Sequence, residues 1–160
     1  TMVAQNIGAN RMDRVKEIYK AGLKIGIGLS TFMALFSVLF PELIVRLFTS
    51  DMSVLKYTKS YIYVVMPSII LLSVMFATNG VINGAGKTFI LMIFAFVAHI
   101  LIRVPLAHFL STKMGLWGVW TTMAIVNFIS MSLILIYYFT GHWKKGANIA
   151  SHSAAKENEV

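Results

Sequence analysis

The stretch FILMIFAFVAHILIRVPLAHFL, residues 89–110, holds one charged side chain, Arg103, in 22 positions. A hydrocarbon layer about 30 Å thick is crossed by roughly 20 helical residues at a rise of 1.5 Å each. Backbone amides in lipid must be satisfied within their own segment, and an α-helix does this. This stretch is therefore predicted to be a transmembrane helix.

Three further segments, 24–45, 61–82 and 114–139, have a similar length and are almost free of charge. Hydrophobic residues make up 58% of the 160 positions and charged residues 12%, about half the charged share of a typical soluble domain. Runs of alternating polarity, which a membrane β-strand would need, do not occur in the sequence. We therefore predict an all-α integral membrane protein with four transmembrane helices between residues 24 and 140.

Polar segments flank the four predicted spans. Residues 1–23 are expected to be a cytoplasmic connection, in which residues 10–20 form an amphipathic helix along the membrane surface. Residues 141–160 are expected to be a cytoplasmic tail that is partly disordered at its end.

Proline and capping residues predict where the helices are interrupted. Pro41 should end the first span, a capped turn at residues 49–53 should open a short helix, and Pro67 should kink the second span. We expect the third and fourth spans to be joined around residues 111–113.

The basic residues predict the orientation. The chain carries a net charge of +8, and its Lys and Arg residues lie mainly between the spans, which indicates membrane topology and argues against nucleic-acid binding. Positive residues favour the cytoplasm, so both ends are expected to be cytoplasmic, in a plasma membrane or, in a bacterium, the inner membrane. Nine basic residues share the side of the termini, Arg11, Arg14, Lys16, Lys20, Lys24, Lys87, Lys144, Lys145 and Lys156, and four lie opposite, Arg46, Lys56, Lys59 and Lys113.

Arg103 is the most costly residue of the predicted spans, because a charge near the bilayer centre carries a penalty of roughly 3 kcal/mol. His99 lies one helical turn away, and Pro105 frees the carbonyl of Leu101 nearby. Two interpretations remain open. Arg103 and His99 line a water-filled cavity, or Arg103 extends to the outer headgroups as an anchor.

Asn79 and Asn127 are the other intramembrane groups that need partners, and both are candidate cavity residues. Asn127 shares a small, polar stripe with Ala124 and Ser130, and such stripes more often pack helices together than bind a ligand. Gly22, Gly26 and Ser30 form a similar predicted packing ridge on the first span.

The sequence argues against catalysis, metal binding and nucleotide binding. It has no cysteine, and its four histidines lack metal-ligand spacing. The glycine-rich segment 80–88 has one residue too many for a phosphate-binding loop and follows a membrane helix. Glu42, at the end of the first predicted span, is the one carboxylate near the hydrocarbon, so we expect no cofactor, and an ion site elsewhere.

Five motifs in order along the chain resemble the multidrug and toxic compound extrusion (MATE) family. Each is weak alone, and together they span all four predicted helices. They are Gln5 to Asn10 followed by Arg14, Leu47 to Asp51 with Val54 and Leu55, Gly80 to Thr88, Arg103 to Ala107, and Gly115 to Trp120.

This resemblance implies a fold of twelve helices in two six-helix lobes, of which this chain would form helices nine to twelve. Its partners would be the bilayer, the N-terminal lobe, the first two helices of its own lobe, and small organic cations. The resemblance further implies export of cationic, amphipathic drugs or metabolites in exchange for sodium ions or protons, without covalent chemistry. The coupling ion would bind outside this chain.

Two departures and two alternatives accompany the resemblance. The family's turn often reads Arg-Gly-x-Gly-Asp, whereas Asn83 and Lys87 stand at its ends here, and the acidic coupling residue of some second lobes has no counterpart. One alternative is a flippase for lipid-linked saccharides of the same superfamily, which usually needs cationic clusters. The other is a membrane assembly subunit without transport activity.

Overall fold

A computed structural model describes residues 1–144, and its secondary structure is helical. Within the described residues, the elements are eight α-helices, one 3-10 segment and one π segment. The elements are α1 (Met2–Gly8), α2 (Met12–Leu39), α3 (Pro41–Arg46), α4 (Met52–Val65), the 3-10 segment (Met66–Ser68), α5 (Ile69–Gly84), α6 (Thr88–Phe96), the π segment (Val97–Ile102), α7 (Arg103–Met114) and α8 (Leu116–Thr140).

Among residues 1–144, four helical stretches are long and apolar enough to cross a membrane, which confirms the predicted number of spans. The first span is α2 and the fourth is α8. The second consists of α4, the 3-10 segment and α5, and the third of α6, the π segment and α7.

The first span begins earlier than the sequence suggested. Residues 12–20, expected in a separate amphipathic helix, are the first turns of α2. Val15 in these turns is 1% exposed, and two ion pairs lie on the outer surface, from Arg14 to Glu17 and from Lys16 to Asp13. The helix is continuous because residues 12–39 contain no proline.

The predicted interruptions at residues 49–53 and at Pro67 are confirmed. Asp51 is the N-cap of α4, and its Oδ1 accepts a hydrogen bond from the Ser53 amide at 2.8 Å. Hydrogen bonds from the Ser53 hydroxyl and amide lower the pKa of Asp51. Pro67 lies inside the 3-10 segment, where its missing amide hydrogen disturbs the α-helical ladder.

The expected connection at residues 111–113 is wrong by a few positions. These residues continue α7 to Met114, and the chain reverses at Gly115, whose φ of 58° and ψ of −136° favour glycine. The hydroxyls of Ser111 and Thr112 donate to carbonyls of their own helix, so their polarity does not break it.

The core lies where α5 meets α2, α8 and α1. Val81 and Ile82 of α5 are almost fully enclosed, together with Val15 of α2 and Ile134 of α8. Much of the remaining apolar surface, above all on the third span, faces outward. Outward apolar surface is expected for helices that are solvated by lipid.

The end of α8 folds back onto the bundle. Gly141 is left-handed, with a φ of 71°, and ends the helix. The Trp143 indole donates its N–H to the Tyr138 carbonyl at 2.9 Å, and the two rings stack. The rest of the tail predicted at 141–160, from residue 145 onward, lies outside the described residues.

Candidate functional site

Three hydroxyl groups along the second span connect it to the neighbouring helices. Ser68, Ser73 and Thr78 each donate to a carbonyl of the preceding turn, so each oxygen can accept a second hydrogen bond. The three partners lie on α8 and α2. Asn127 Nδ2 lies 3.0 Å from Ser68 Oγ, Ser30 Oγ lies 3.2 Å from Ser73 Oγ, and Tyr19 OH lies 3.0 Å from Thr78 Oγ1.

Asn127 is therefore placed in a contact between helices. Its amide donates to Ser68 at the interrupted part of the second span, and Ser68 in turn donates to the Val65 carbonyl at 2.7 Å. Ser130, on the same predicted stripe, is buried, and its Oγ has no hydrogen-bond partner among residues 1–144. The geometry at Asn127 favours the packing interpretation of the stripe.

The predicted glycine ridge on α2 is confirmed at two of its three positions. A Cβ at Gly26 would lie 3.5 Å from Ser73 Cβ, and Ser30 bonds to the same residue. A Cβ at Gly22 would meet nothing within 4 Å. The close approach of α2 to α5 is therefore centred on Gly26 and Ser30.

Asn79 lies at a different depth from Asn127. It is half-buried in α5, and its Oδ1 is enclosed with no partner among the described residues. Eleven residues separate it from Ser68, which corresponds to roughly 16 Å along a helix axis. The two asparagines therefore do not share one cluster.

His99 and Arg103 lie on the third span, at and just after the π segment. Both are half-buried, and neither forms a hydrogen bond or ion pair with the part of the chain that is described. Pro105 has no amide hydrogen to offer the Leu101 carbonyl, and a shift to π geometry is one way in which a helix accommodates such a gap. π segments of this kind are frequent at functional sites.

Glu42 forms an ion-pair cluster just after the C-terminal end of the first span. Located in α3, outside the four spans, it accepts hydrogen bonds from Lys59 Nζ and Arg46 Nη2, each at 3.1 Å. The hydrogen bonds from Lys59 and then Arg46 lower the pKa of Glu42. Its charge is thus already neutralised by two side chains.

These polar groups can bind a ligand by hydrogen bonding and charge, but they do not form one closed site. Asn79 is near one end of the second span, Asn127 is on the fourth span beside the middle of the second, and His99 and Arg103 are on the third. Within residues 1–144, no group of three or more His, Asp or Glu side chains is placed to hold a metal ion.

The four candidate residues could be selected from the sequence because each is costly in lipid, whereas the hydroxyls that connect the second span to its neighbours could not. Ser68, Ser73 and Thr78 are spaced by five, which matches no helical stripe, and a single hydroxyl costs little when it bonds its own helix. Tyr19 belongs to residues 10–20, which were expected to form a surface helix. Its bond to Thr78 depends on α2 being continuous from Met12.

The described chain has four apolar spans, an outward apolar surface and a few polar side chains within the spans. These features define a multi-pass α-helical membrane protein. The sequence model of the MatE family matches residues 1–109. The chain belongs to the MatE family, a family of transporters and not of enzymes.

Similar proteins support this assignment. The chain is 27% identical over 149 residues to the probable multidrug resistance protein NorM of Thermotoga maritima, covering 92% of this chain and 32% of that protein. It is 26% identical over 145 residues to the probable multidrug resistance protein YoeA of Bacillus subtilis, covering 89% and 31%. The chain thus spans about a third of the length of the curated relatives it matches. The comparison with solved structures gave no significant match.

Proposed function

We propose that this chain is part of an ion-coupled antiporter that exports cationic, amphipathic compounds in exchange for sodium ions or protons. The observation that carries this proposal is the match of nine tenths of the chain to a probable multidrug resistance protein, together with membership of the MatE family. The four spans would contribute one wall of a binding cleft whose other walls belong to the rest of the transporter.

The extent of the match supports assignment to helices nine to twelve. Four spans are a third of a twelve-helix transporter, and the chain covers 32% of its Thermotoga relative. The choice of the last third rests on the motifs in the sequence, above all residues 103–107 and 115–120.

The lack of carboxylates in the apolar segments supports placing the coupling-ion site elsewhere. The apolar segments 24–39, 61–84, 89–110 and 114–139 contain no Asp or Glu. Glu42 lies outside the spans and is held by Lys59 and Arg46. We propose that a carboxylate of the other lobe binds the coupling ion, since a membrane cation site needs a group that can carry negative charge.

Asn79, His99 and Arg103 are the proposed contributions of this chain to the cleft. The enclosed, unpartnered oxygen of Asn79 could accept a hydrogen bond from a ligand or from another helix. Arg103 would repel cations, so its proposed role is to bind a coupling carboxylate or water and not the drug itself. Asn127 is proposed to act through the packing of α8 on the second span.

The driving force is sufficient for drug export. A membrane potential contributes about 2.3 kcal/mol per charge per 100 mV, which corresponds to a gradient of roughly fiftyfold for one net charge moved.

Vesicles reconstituted with the complete protein test the proposal. An imposed sodium or proton gradient should drive a cationic dye such as ethidium against its concentration gradient, and a protein-free vesicle is the control. If neither gradient moves the dye, the antiporter proposal is wrong. Movement of a lipid-linked saccharide in the same vesicles without dye transport would establish the flippase.

The orientation has its own test. We propose that both ends of this chain are cytoplasmic, as the distribution of basic residues favours. Single cysteines at Lys87 and Lys56 should react with a membrane-impermeant reagent from opposite sides of intact cells. Labelling of the Lys87 position from outside would reverse the assignment.

A further inference from the structure

A pocket of about 370 Å³ lies between the first turns of α2 and the end of α8. Its volume is in the range of ~300–1,000 Å³ that small-molecule sites occupy. Its wall is formed by residues of both helix ends: Met12, Lys16, Tyr138, Phe139, Trp143 and Lys144.

The aromatic wall of this pocket is fixed in place. Trp143 is 2% exposed, its indole N–H is bonded to the Tyr138 carbonyl, and its ring stacks on Tyr138 at a centroid distance of 5.4 Å. Tyr19 also packs on Tyr138, with ring centroids 4.8 Å apart. The wall therefore needs no rearrangement to receive a ligand.

The open side of the pocket is cationic. Lys144 Nζ lies 5.6 Å from the centre of the Trp143 ring, and Lys16 lines the opposite helix. Lys16 also pairs with Asp13 at 3.5 Å, but the two side chains are 61% and 97% exposed. Such a pair is worth little in water and leaves the ammonium available to a stronger anion.

The position of the pocket identifies the occupant. Both helix ends belong to membrane spans, and Phe139, which is 79% exposed, leads from the pocket onto the apolar surface of α8. A ligand with an anionic head and an apolar tail fits both features. Basic pockets between the ends of transmembrane helices bind the headgroups of anionic lipids.

We propose that this pocket binds the phosphate of an anionic phospholipid between Lys16 and Lys144, with an acyl chain lying along Phe139. Tyr138, held in place by the buried Trp143 ring, would pack against the glycerol portion, as aromatic residues do at a membrane interface. A bound lipid would hold the start of the first span to the end of the fourth. None of the residues that line this pocket is among those proposed for the drug cleft.

Lipid binding to the complete protein in detergent tests the proposal. Native mass spectrometry should count one fewer tightly bound phosphatidylglycerol in the Lys16→Gln/Lys144→Gln variant than in the unmodified protein. The affinity of that site should fall roughly thirtyfold, from the surface attraction of two lysines. The thermal midpoint should rise more with phosphatidylglycerol than with phosphatidylcholine, and the variant should lose this difference.

Lys87→Gln is the control, since it removes a lysine charge in the turn between α5 and α6, outside the pocket lining. It should bind lipid as the unmodified protein does. If both variants lose lipid equally, or neither does, the pocket is not a lipid site. Inorganic phosphate should not shift the thermal midpoint. If phosphate raises the midpoint of the unmodified protein but not that of the double variant, the pocket binds a soluble anion and the lipid proposal is wrong.

Discussion

Asn127 of α8 donates its amide hydrogen to the hydroxyl of Ser68, 3.0 Å away, where the second span is interrupted. The Ser68 hydroxyl in turn donates a hydrogen bond to the Val65 carbonyl at 2.7 Å. One side chain of the fourth span thus completes the hydrogen bonding around a proline-disturbed turn of the second. The interruption is consequently tied to the position of α8.

This pair can be measured with a double-mutant cycle. Asn127→Ala and Ser68→Ala should each destabilise the complete protein, and the coupling between them should be about 0.6 kcal/mol, with an upper bound near 1.7 kcal/mol. Denaturation of the purified protein in mixed micelles provides the free energies. Ser132→Ala is the control, because that hydroxyl bonds only within α8, and strict additivity of the two substitutions would contradict the contact.

Gly118→Ala should disrupt the hairpin of α7 and α8. A Cβ at this position would collide with the Leu110 carbonyl and lie 2.9 Å from the Ser111 amide nitrogen, and backbone atoms cannot move aside cheaply. We expect a loss of roughly 1–3 kcal/mol, as for other overpacked positions, measured as a lower thermal midpoint. Gly28→Ala, where a Cβ meets nothing within 4 Å, should be neutral or stabilising. A neutral Gly118→Ala would disprove the close approach.

Glu42 should make stability depend on pH in the acid range. Its pKa is lowered by Lys59 and Arg46, so the ionised form is favoured in the folded protein. The stabilisation is present above the ordinary carboxyl pKa and is lost as the pH falls through the lowered one. Glu42→Gln should flatten the fall of the thermal midpoint between neutral pH and pH values near 3.

The partner residue provides a second test of the Glu42 cluster. Lys59→Gln should flatten the acid fall in the same direction, because the hydrogen bond from Lys59 is the largest cause of the lowered pKa. High salt should reduce the difference between variant and unmodified protein, since the cluster is solvent-accessible. An unchanged acid slope in both variants would show that the cluster does not contribute.

Arg103→Gln separates the two interpretations of that residue. If Arg103 serves the transport cleft, dye export should fall by about tenfold or more, since losing a charged hydrogen bond costs about 1.5–3 kcal/mol. The thermal midpoint should stay close to that of the unmodified protein. Lys113→Gln, an exposed cation on the same helix, should transport normally, and normal transport by both variants would identify Arg103 as an interfacial anchor.

The number of spans could be predicted from the sequence because the mean hydropathy of about 20 residues indicates whether a helix is solvated by lipid or by water. The cap at Asp51 and the disturbance at Pro67 were equally predictable, since each depends on one side chain and its own backbone. The ends of the helices were less predictable. Hydropathy marks where the solvent changes, whereas α2 begins twelve residues before Lys24 and α7 continues through Ser111 and Thr112.

The candidate residues could be chosen from the sequence, whereas the contacts around them could not be predicted. Asn79, Arg103 and Asn127 were found because burial in lipid makes them costly. Whether such a residue finds a partner, and which one, depends on how the helices are rotated against one another. Ser68 shows this, since its hydroxyl could have been satisfied within its own helix and nothing in the sequence required a bond to Asn127.

The uninterrupted course of α2 has a mechanical consequence. Its 28 residues form a rod about 42 Å long, and only about 30 Å of that length is needed to cross the hydrocarbon. The surplus projects beyond the lipid, where Val15 anchors it against the core. Because α2 is one continuous helix, its first turns, which are packed on the core, and Leu39 at the far end are mechanically coupled.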